Sequence, residues 1–599
     1  MQIENDPYSP SLIANDTSHP LAKERRTFLS GLEDLLRRFS PAERLALYVF
    51  SLALALSAFI LVGSANDLIS MQVPTEGGAI VEGAIGTPRF ANPLLAATQA
   101  DEDLTMLTYS GLLRAIDGSF EPDLASSYEI SDDGTIYTFR LREGLTFHDG
   151  TPLTADDVLF TVALAQDPNI KSPRRADWDG VSATAPDDRT LVFTLPHPYA
   201  PFLENATLGI LPKEHWENVP AEEFPFSTLN THPIGSGPYA VRSVEFDATG
   251  APTEYDLRAF EEFALGEPHL SRVTYRVYAN EEDMLAAFEE GDVTSFVASS
   301  PKNTARDIQE SGQFVRIPLT RVFGVFFNQN HAPVLADAAA RSALNAAIDK
   351  KMLIEQVLGG YGEVLDGPVA KNLFSGGEVA GTSTPVDAEA FGSERAREIL
   401  RAGGWRYVEA TATTTEGHWS KGTATLSLTL ATPDTEDLVA SAEAVATAWR
   451  AAGVKVAVEV YPLSEFNQTV LRPRAYDAIL FGEVVGRSLD LYPFWHSSQR
   501  NDPGLNFSLY TNSEADRALA AARESVPREA RETSIREFLA QIKEDSPAVF
   551  LYSPELAYLL PAHIKGVAID PIMSSGERFT EIHTWYRDTE RVWDFFSTR

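Results

Sequence analysis

FHDGTPLTADDVLFTVALAQDP, Phe147–Pro168, follows directly on the strand-like run YTFRLREGLTF. Asp149-Gly150 is a turn dipeptide. Thr154 followed three residues later by Asp157 forms a capping-box pattern, with Asp in the usual Glu/Gln place. Val158, Leu159, Val162 and Ala163 then mark one face of a predicted helix, and Pro168 lies beyond its end. The stretch reads as strand, turn and capped helix. Alone it is scaffold, and its meaning comes from what surrounds it.

Upstream, SYEISDDGTIYTFRLREGLTF is a hairpin around Asp133-Gly134. Further upstream, AIVEGAIG is a buried strand and DLTMLTYSGLLRAI a helix passing into a strand. Downstream, GVSATAPDDRTLVFTL pairs two strands around PDD, and GSGPYAVRSVEF is a strand entered through a glycine-permitted bend. The middle of the chain changes character. EEDMLAAFEEGDV is an amphipathic helix with a glycine stop, TRVFGVFFNQN a β-rich run, and DAAARSALNAAIDKKMLIEQVLGG one long helical pattern. SERAREILRAGGW and SAEAVATAWRAAGVKVAVEVY are helices that end at glycine, the second running into a strand. ATTTEGHWSKGTATLSLTL is a surface hairpin leading into a strand. Helices alternating with strands imply an α/β lobe.

The 599 residues suffice for about four domain-sized units, and 44% hydrophobic with 10% aromatic residues is globular. Nucleic-acid binding needs a basic face, and the net charge of −36 argues strongly against it. Zero cysteines exclude disulfides, thiolate metal sites, a cysteine nucleophile and a lipid-modified N-terminal cysteine.

Leu45–Val62 is an uncharged apolar run near the lower length limit of a membrane-spanning helix. Lys23, Arg25, Arg26, Arg37, Arg38 and Arg44 precede it, and no Lys or Arg follows until Arg89. This asymmetry places residues 1–44 in the cytoplasm and the large C-terminal part outside. The expected order is a partly disordered tail over 1–44, an anchor over 45–64 and a linker over 65–78. A cleaved signal peptide is the competing reading, since Gly63 and Ala65 are compatible with cleavage.

Catalytic patterns are missing from the sequence. There is no GxxxxGK[ST], no HExxH and no GxSxG, and the 11 histidines show no metal-ligand spacing. His148 and His197 lie near turns and read as surface or structural. Acidic pairs such as Asp156-Asp157 complement a helix dipole. No cofactor and no metal are expected.

Taken in order, NPLL at Asn92–Leu95, YSGLLRAIDGSFEPDLASSYEISDDGTIYTFRLREGLTFHDGTPLTADDVLFT, PIGSGPYAV, RVFGVFFNQN, ARSALNAAIDK, AREILRAGGW and YDAILFG resemble the family 5 extracellular solute-binding proteins. These are the peptide- and nickel-binding receptors of ABC importers. The resemblance covers about residues 79–599. It implies an α/β, two-lobed periplasmic-binding-protein-like fold of type II, cluster C-like, with an extra subdomain, here preceded by one transmembrane helix. It also implies that the opening strand–turn–helix is a fold signature. The expected division is lobe I at 79–112, 233–318 and 548–599, the extra subdomain at 113–232, and lobe II at 319–547. The chain would cross into the second lobe near Asn328 and return near Pro547.

By the same resemblance, ligand contacts fall in three regions: Gln99 and Asp101 in TQADED; Phe323 at the start of the second lobe; and Tyr461 with Phe481, Gly482, Glu483 and Asp490. Peptide binders of the family carry a Gly-Trp pair there and then an Asp for the peptide amine. Here Glu483 follows Gly482, VVGRS intervenes, and Asp490 comes late. Tyr461, Phe481 and Asp490 also fit core or surface-turn roles. The implied function is a receptor that delivers peptides or another small solute to an ABC permease. It would be a monomer held to the membrane by a single helix, without nucleic acid as partner. A sensor signalling through the cytoplasmic tail and an extracellular hydrolase are the alternatives.

Overall fold

The structure is a computed structural model describing residues 38–116, 118–298, 313–370, 373–374, 391–410 and 417–593. Most of the tail, residues 1–37, lies outside the described residues, as does the ATTTE start of the predicted surface hairpin, residues 412–416. Two compact units divide the chain, the smaller comprising residues 1–73 and 589–599 and the larger residues 74–588.

The smaller unit contains the helix Pro41–Ile69, of which Pro41–Leu61 is long and apolar enough to cross a membrane. The helix runs on past the expected anchor, because no Gly or Pro interrupts SANDLI. The strand Ser70–Pro74 follows at once and pairs with Thr589–Trp593. Residues 65–74, expected as linker, are therefore helix end and strand.

The larger unit has two lobes built on one 12-stranded mixed sheet. In spatial order its main path runs Lys455–Tyr461, Ser427–Pro433, Ala478–Val484, Arg321–Phe327, Ala548–Leu560, Ser295–Ala298, Ala79–Ile85, Arg272–Tyr278, Pro252–Ala259 and Tyr239–Phe246. Ala548–Leu560 belongs to both lobes. Its first half pairs with Arg321–Phe327, and its second half with Gln313–Pro318 and Ser295–Ala298. The other crossing is the short link from Pro318 to Arg321. The apolar side chains of Arg321–Phe327 alternate between two cores on opposite faces of the second-lobe sheet, Val322 and Phe326 on one and Val325 and Phe327 on the other.

The opening stretch forms as read, with one difference in facing. The helix is Ala155–Gln166, and Asp157 Oδ2 accepts from the Thr154 N–H at 2.8 Å. Its buried face is Ala155, Val158, Val162 and Ala165, whereas Ala163 is exposed. Asp157 Oδ1 also accepts from the Lys213 N–H at 3.0 Å, so one carboxylate caps the helix and ties it to a distant loop. The helix packs on an antiparallel sheet of Ala125–Ile130, Ile136–Leu141, Thr190–Thr194 and Ser182–Asp187, which contains both expected hairpins.

His148 links this stretch to GSGPY. Its Nδ1 accepts from the Gly235 N–H at 3.3 Å and its Nε2 donates to the Gly237 carbonyl at 3.0 Å. Burial lowers its pKa to about 4, so the ring is neutral, as this pattern requires. The glycines answer to close approach more than to bend geometry. A Cβ on Gly235 would lie 1.9 Å from the Thr108 carbonyl oxygen.

The expected long helix near residue 340 is two helices, Ala338–Ala346 and Lys350–Leu358. Asp349 interrupts the pattern because its side chain accepts from the Met352 N–H, which makes it the cap of the second helix.

Candidate functional site

A cavity of about 620 Å³ lies where the two lobes and the extra subdomain meet. That is within the range of about 300–1,000 Å³ typical of small-molecule sites. Segments far apart in sequence wall it: the helix Gln99–Thr108 and the residues after it, Tyr199–Gly209, Arg321, Val484–Asp490 and Met573–Thr580.

Three groups of polar contacts cross the cleft, centred on Glu204, Arg487 and Asp490. Glu204 accepts from the Ser488 hydroxyl at 2.5 Å and from the Arg487 N–H at 3.2 Å. Arg487 donates to Glu577 at 2.6 Å and to the Pro571 carbonyl at 2.8 Å. Asp490 accepts from the Tyr199 hydroxyl at 3.2 Å and from Arg523 at 3.0 Å. Burial raises the pKa values of Glu204 and Asp490, opposed by these partners. Burial alone would lower the pKa of Arg487, but Glu577 outweighs it and holds the guanidinium above its usual value. The loop carrying Arg487 and Asp490 is strained, since Leu489 has φ +58°. For a branched residue this costs about 1–2 kcal/mol.

Of the eight residues singled out in the sequence, Asp490 lines this cavity and the other seven do not. Gln99 is exposed on the first turn of its helix. Asp101 is occupied by backbone, accepting from the N–H groups of Arg89, Phe90 and Thr98 at 2.7, 2.8 and 3.1 Å. Phe323 stacks on Tyr552 with ring centroids 5.3 Å apart and also covers Gly482, its cross-strand partner. A Cβ on Gly482 would lie 2.6 Å from that ring. Tyr461 donates to Glu459 at 2.9 Å, and both Tyr461 and Phe481 pack against the ring of Phe466. Glu483 is buried at 3% exposure, faces Val322 across the strands, and neither carboxylate oxygen has a hydrogen-bond partner. Burial raises its pKa well above the usual carboxylate range.

Sequence reading missed Tyr199, Glu204, Arg321, Arg487 and Glu577. The VVGRS departure beside Gly482 was the one local signal, and it supplies Arg487 and Ser488. Arg321 opens RVFGVFFNQN, where Phe323 was singled out instead, and the others sit in segments with no motif of their own.

The family model described as Bacterial extracellular solute-binding proteins, family 5 Middle, matches residues 119–504. The oligopeptide-binding protein AppA of Bacillus subtilis is 28% identical over 516 residues, covering 83% of this chain and 90% of AppA. Protein XP55 of Streptomyces lividans is 30% identical over 500 residues, covering 80% of this chain and 84% of XP55. The structure of B. subtilis AppA in complex with a nonapeptide superposes with a TM-score of 0.64 at 26% identity, covering 86% of this chain and all of that one. The ordered segments, the two lobes joined through one strand and the cavity between them have one explanation: this chain belongs to the bacterial extracellular solute-binding proteins of family 5.

Proposed function

We propose that the protein is the extracytoplasmic receptor of an ABC importer, that it takes peptides into the interlobe cavity, and that it hands them to a permease by opening and closing its lobes. The cavity itself carries this reading. Both lobes wall it, and the contacts Glu204–Ser488, Arg487–Glu577 and Tyr199–Asp490 run across it. Closing the lobes and enclosing a ligand are then one event, and a ligand shifts the equilibrium by its extra affinity for the closed form. The hinge in this proposal is the Pro318–Arg321 link together with the middle of Ala548–Leu560. Relatives named for oligopeptide binding, and a nonapeptide in one similar structure, support peptides as the class. The helix Pro41–Leu61 serves as an uncleaved single-pass anchor with residues 1–44 inside the cell, which the flanking charges support. The receptor works as a monomer, without cofactor and without catalysis.

Mass spectrometry of small molecules released on denaturing the purified full-length protein tests the ligand class. Peptides are expected, and a consistent non-peptide solute would replace them. Small-angle scattering with and without the identified ligand tests closure. Equal radii of gyration would remove lobe closure from the proposal.

A further inference from the structure

Helices Ser513–Glu524 and Arg528–Asp545 of the second lobe pack against each other, and the short connector between them docks on the extra subdomain. Three turns of the subdomain receive it. The Ala200 N–H donates to the Arg523 carbonyl at 2.9 Å. Val526 covers Gly134, the turn glycine of the Asp133-Gly134 hairpin, so closely that a Cβ there would lie 2.8 Å from Val526 Cγ2. Arg528 donates to the Gly118 carbonyl at 2.7 Å, and a Cβ on Gly118 would lie 3.2 Å from the Arg528 Nη2. Gly118 and Gly134 both have φ +68°. Each turn therefore needs glycine for its own geometry and offers bare backbone for the connector to approach.

Arg523 ties the connector to the edge of the cleft. Its guanidinium sits 5.1 Å from the Tyr199 ring of the subdomain and 4.5 Å from the Tyr492 ring of the second lobe, and it donates to Asp490. Tyr199 is held in turn by Tyr137, whose hydroxyl donates to the Tyr199 carbonyl at 3.1 Å.

Gly118, Gly134, Ala200, Val526 and Arg528 do not line the cavity. Their contacts are made by the chain with itself, so their strength does not depend on what the cavity holds. They also run from one lobe to the subdomain of the other, and the lobes part only when all of them break together.

We propose that the connector Ser525–Pro527, with Arg523 and Arg528, is a clasp that sets how often the lobes open, separately from any contact made by the ligand. A ligand enclosed by both lobes leaves only when they part, so the clasp governs its residence time. This assignment rests on the lobe-closure reading above.

Hydrogen exchange of single amides in the full-length protein, read by mass spectrometry without added ligand, tests it. Three amides report different events. The Ala200 N–H reports the clasp, and the Arg487 N–H, donated to Glu204 at 3.2 Å, reports closure on the cavity side. The Leu141 N–H, donated to the Arg189 carbonyl at 2.8 Å inside the subdomain, reports folding. Exchange of a protected amide scales with the fraction of time it is open. In Val526→Asp/Arg528→Ala, Ala200 and Arg487 are expected to exchange at least tenfold faster than in the parent, by like factors, with Leu141 unchanged. Arg528→Lys, which keeps a donor, should stay within about threefold of the parent at both. A rise at Ala200 alone would make the connector a local packing contact and overturn the clasp while leaving lobe closure standing. No rise at either amide, or an equal rise at Leu141, would overturn it as well. Exchange of Ala200 and Arg487 at free-amide rates in the parent would overturn lobe closure and the clasp together.

Discussion

In the first lobe Glu82 is enclosed by an ion pair, a serine and a tyrosine; in the second lobe Glu483 is enclosed by carbon. Both carboxylates sit on strands of the same sheet and both are buried. Glu82 accepts from Arg578 at 2.8 Å, from the Tyr558 hydroxyl at 2.8 Å and from the Ser295 hydroxyl. Arg578 also binds Asp103 through two hydrogen bonds of 2.6 and 2.8 Å, and Tyr275 donates to Asp103 at 2.9 Å. Every carboxylate oxygen in that network has a donor. Around Glu483 the facing residue is Val322, and Phe481 and Val485 flank it on the same face. Burial raises the pKa of both glutamates, but only Glu82 has a cation, Arg578, and a hydroxyl, that of Ser295, pulling it back. Burial alone therefore does not set the cost of a charge. The partners do, and where they are missing the group keeps its proton.

The largest effect expected from this contrast comes from removing the shared cation. Arg578→Met leaves Glu82 and Asp103 buried and unpaired, which should cost about 3–5 kcal/mol. Urea unfolding at neutral pH measures it, and a midpoint unchanged from the parent would mean that the network carries no such load.

Glu483→Met should act in the other direction. It removes a polar group with no partner, and a gain of about 1–3 kcal/mol is expected at pH 8. The pH dependence carries the sign. The folded pKa of Glu483 lies above the unfolded value of 4.5, so its contribution is complete below about pH 4.5 and is lost as pH rises. The variant's advantage should therefore shrink toward pH 5. A gain independent of pH would place the cause in packing. His148 gives the opposite slope: its folded pKa of about 4 lies below the unfolded 6.5, so stability is lost as pH falls between those values. His148→Gln should flatten the acid limb of the stability profile without touching the alkaline limb.

A smaller loss is expected at the helix cap. Asp157→Ala removes the acceptor for the Thr154 and Lys213 N–H groups and should cost about 1–2 kcal/mol in the same assay. The least effect belongs to a pair in full solvent contact. Arg517 and Glu514 lie one helical turn apart on the surface at 2.6 Å. Arg517→Ala should leave the urea midpoint within replicate scatter, because water screens and replaces such a pair.

Much of the fold was legible in short windows. The Asp133-Gly134 hairpin, the Thr154–Asp157 cap and the helix stopped at Gly291 each depend on residues within a few positions, and each formed. Two of the local readings that went astray did so for physical reasons equally local. Asp349 is compatible with helix composition, yet its carboxylate competes for backbone N–H groups and starts a new helix. Ala163 fits an apolar face by type, but packing selected Ala165.

The candidate site was far less legible. Asp101 and Asp490 are both aspartates in segments that resemble cleft regions, and nothing in their neighbourhoods tells them apart. Only the fold shows that Asp101 is consumed by four backbone N–H groups while Asp490 faces the cavity beside Tyr199 and Arg523. The sequence by itself determined the elements, the family's order of segments and the apolar helix near the N-terminus, because hydrophobic period, turn residues and caps act over a few residues. Tertiary structure alone decided which charges are paired. Glu204 meets Ser488, Arg487 meets Glu577 and Arg578 meets Glu82 across separations of 284, 90 and 496 residues, and Arg321 is left without a partner. Electrostatic pairing acts through a few ångströms of space, so it is settled only once folding has brought those segments together.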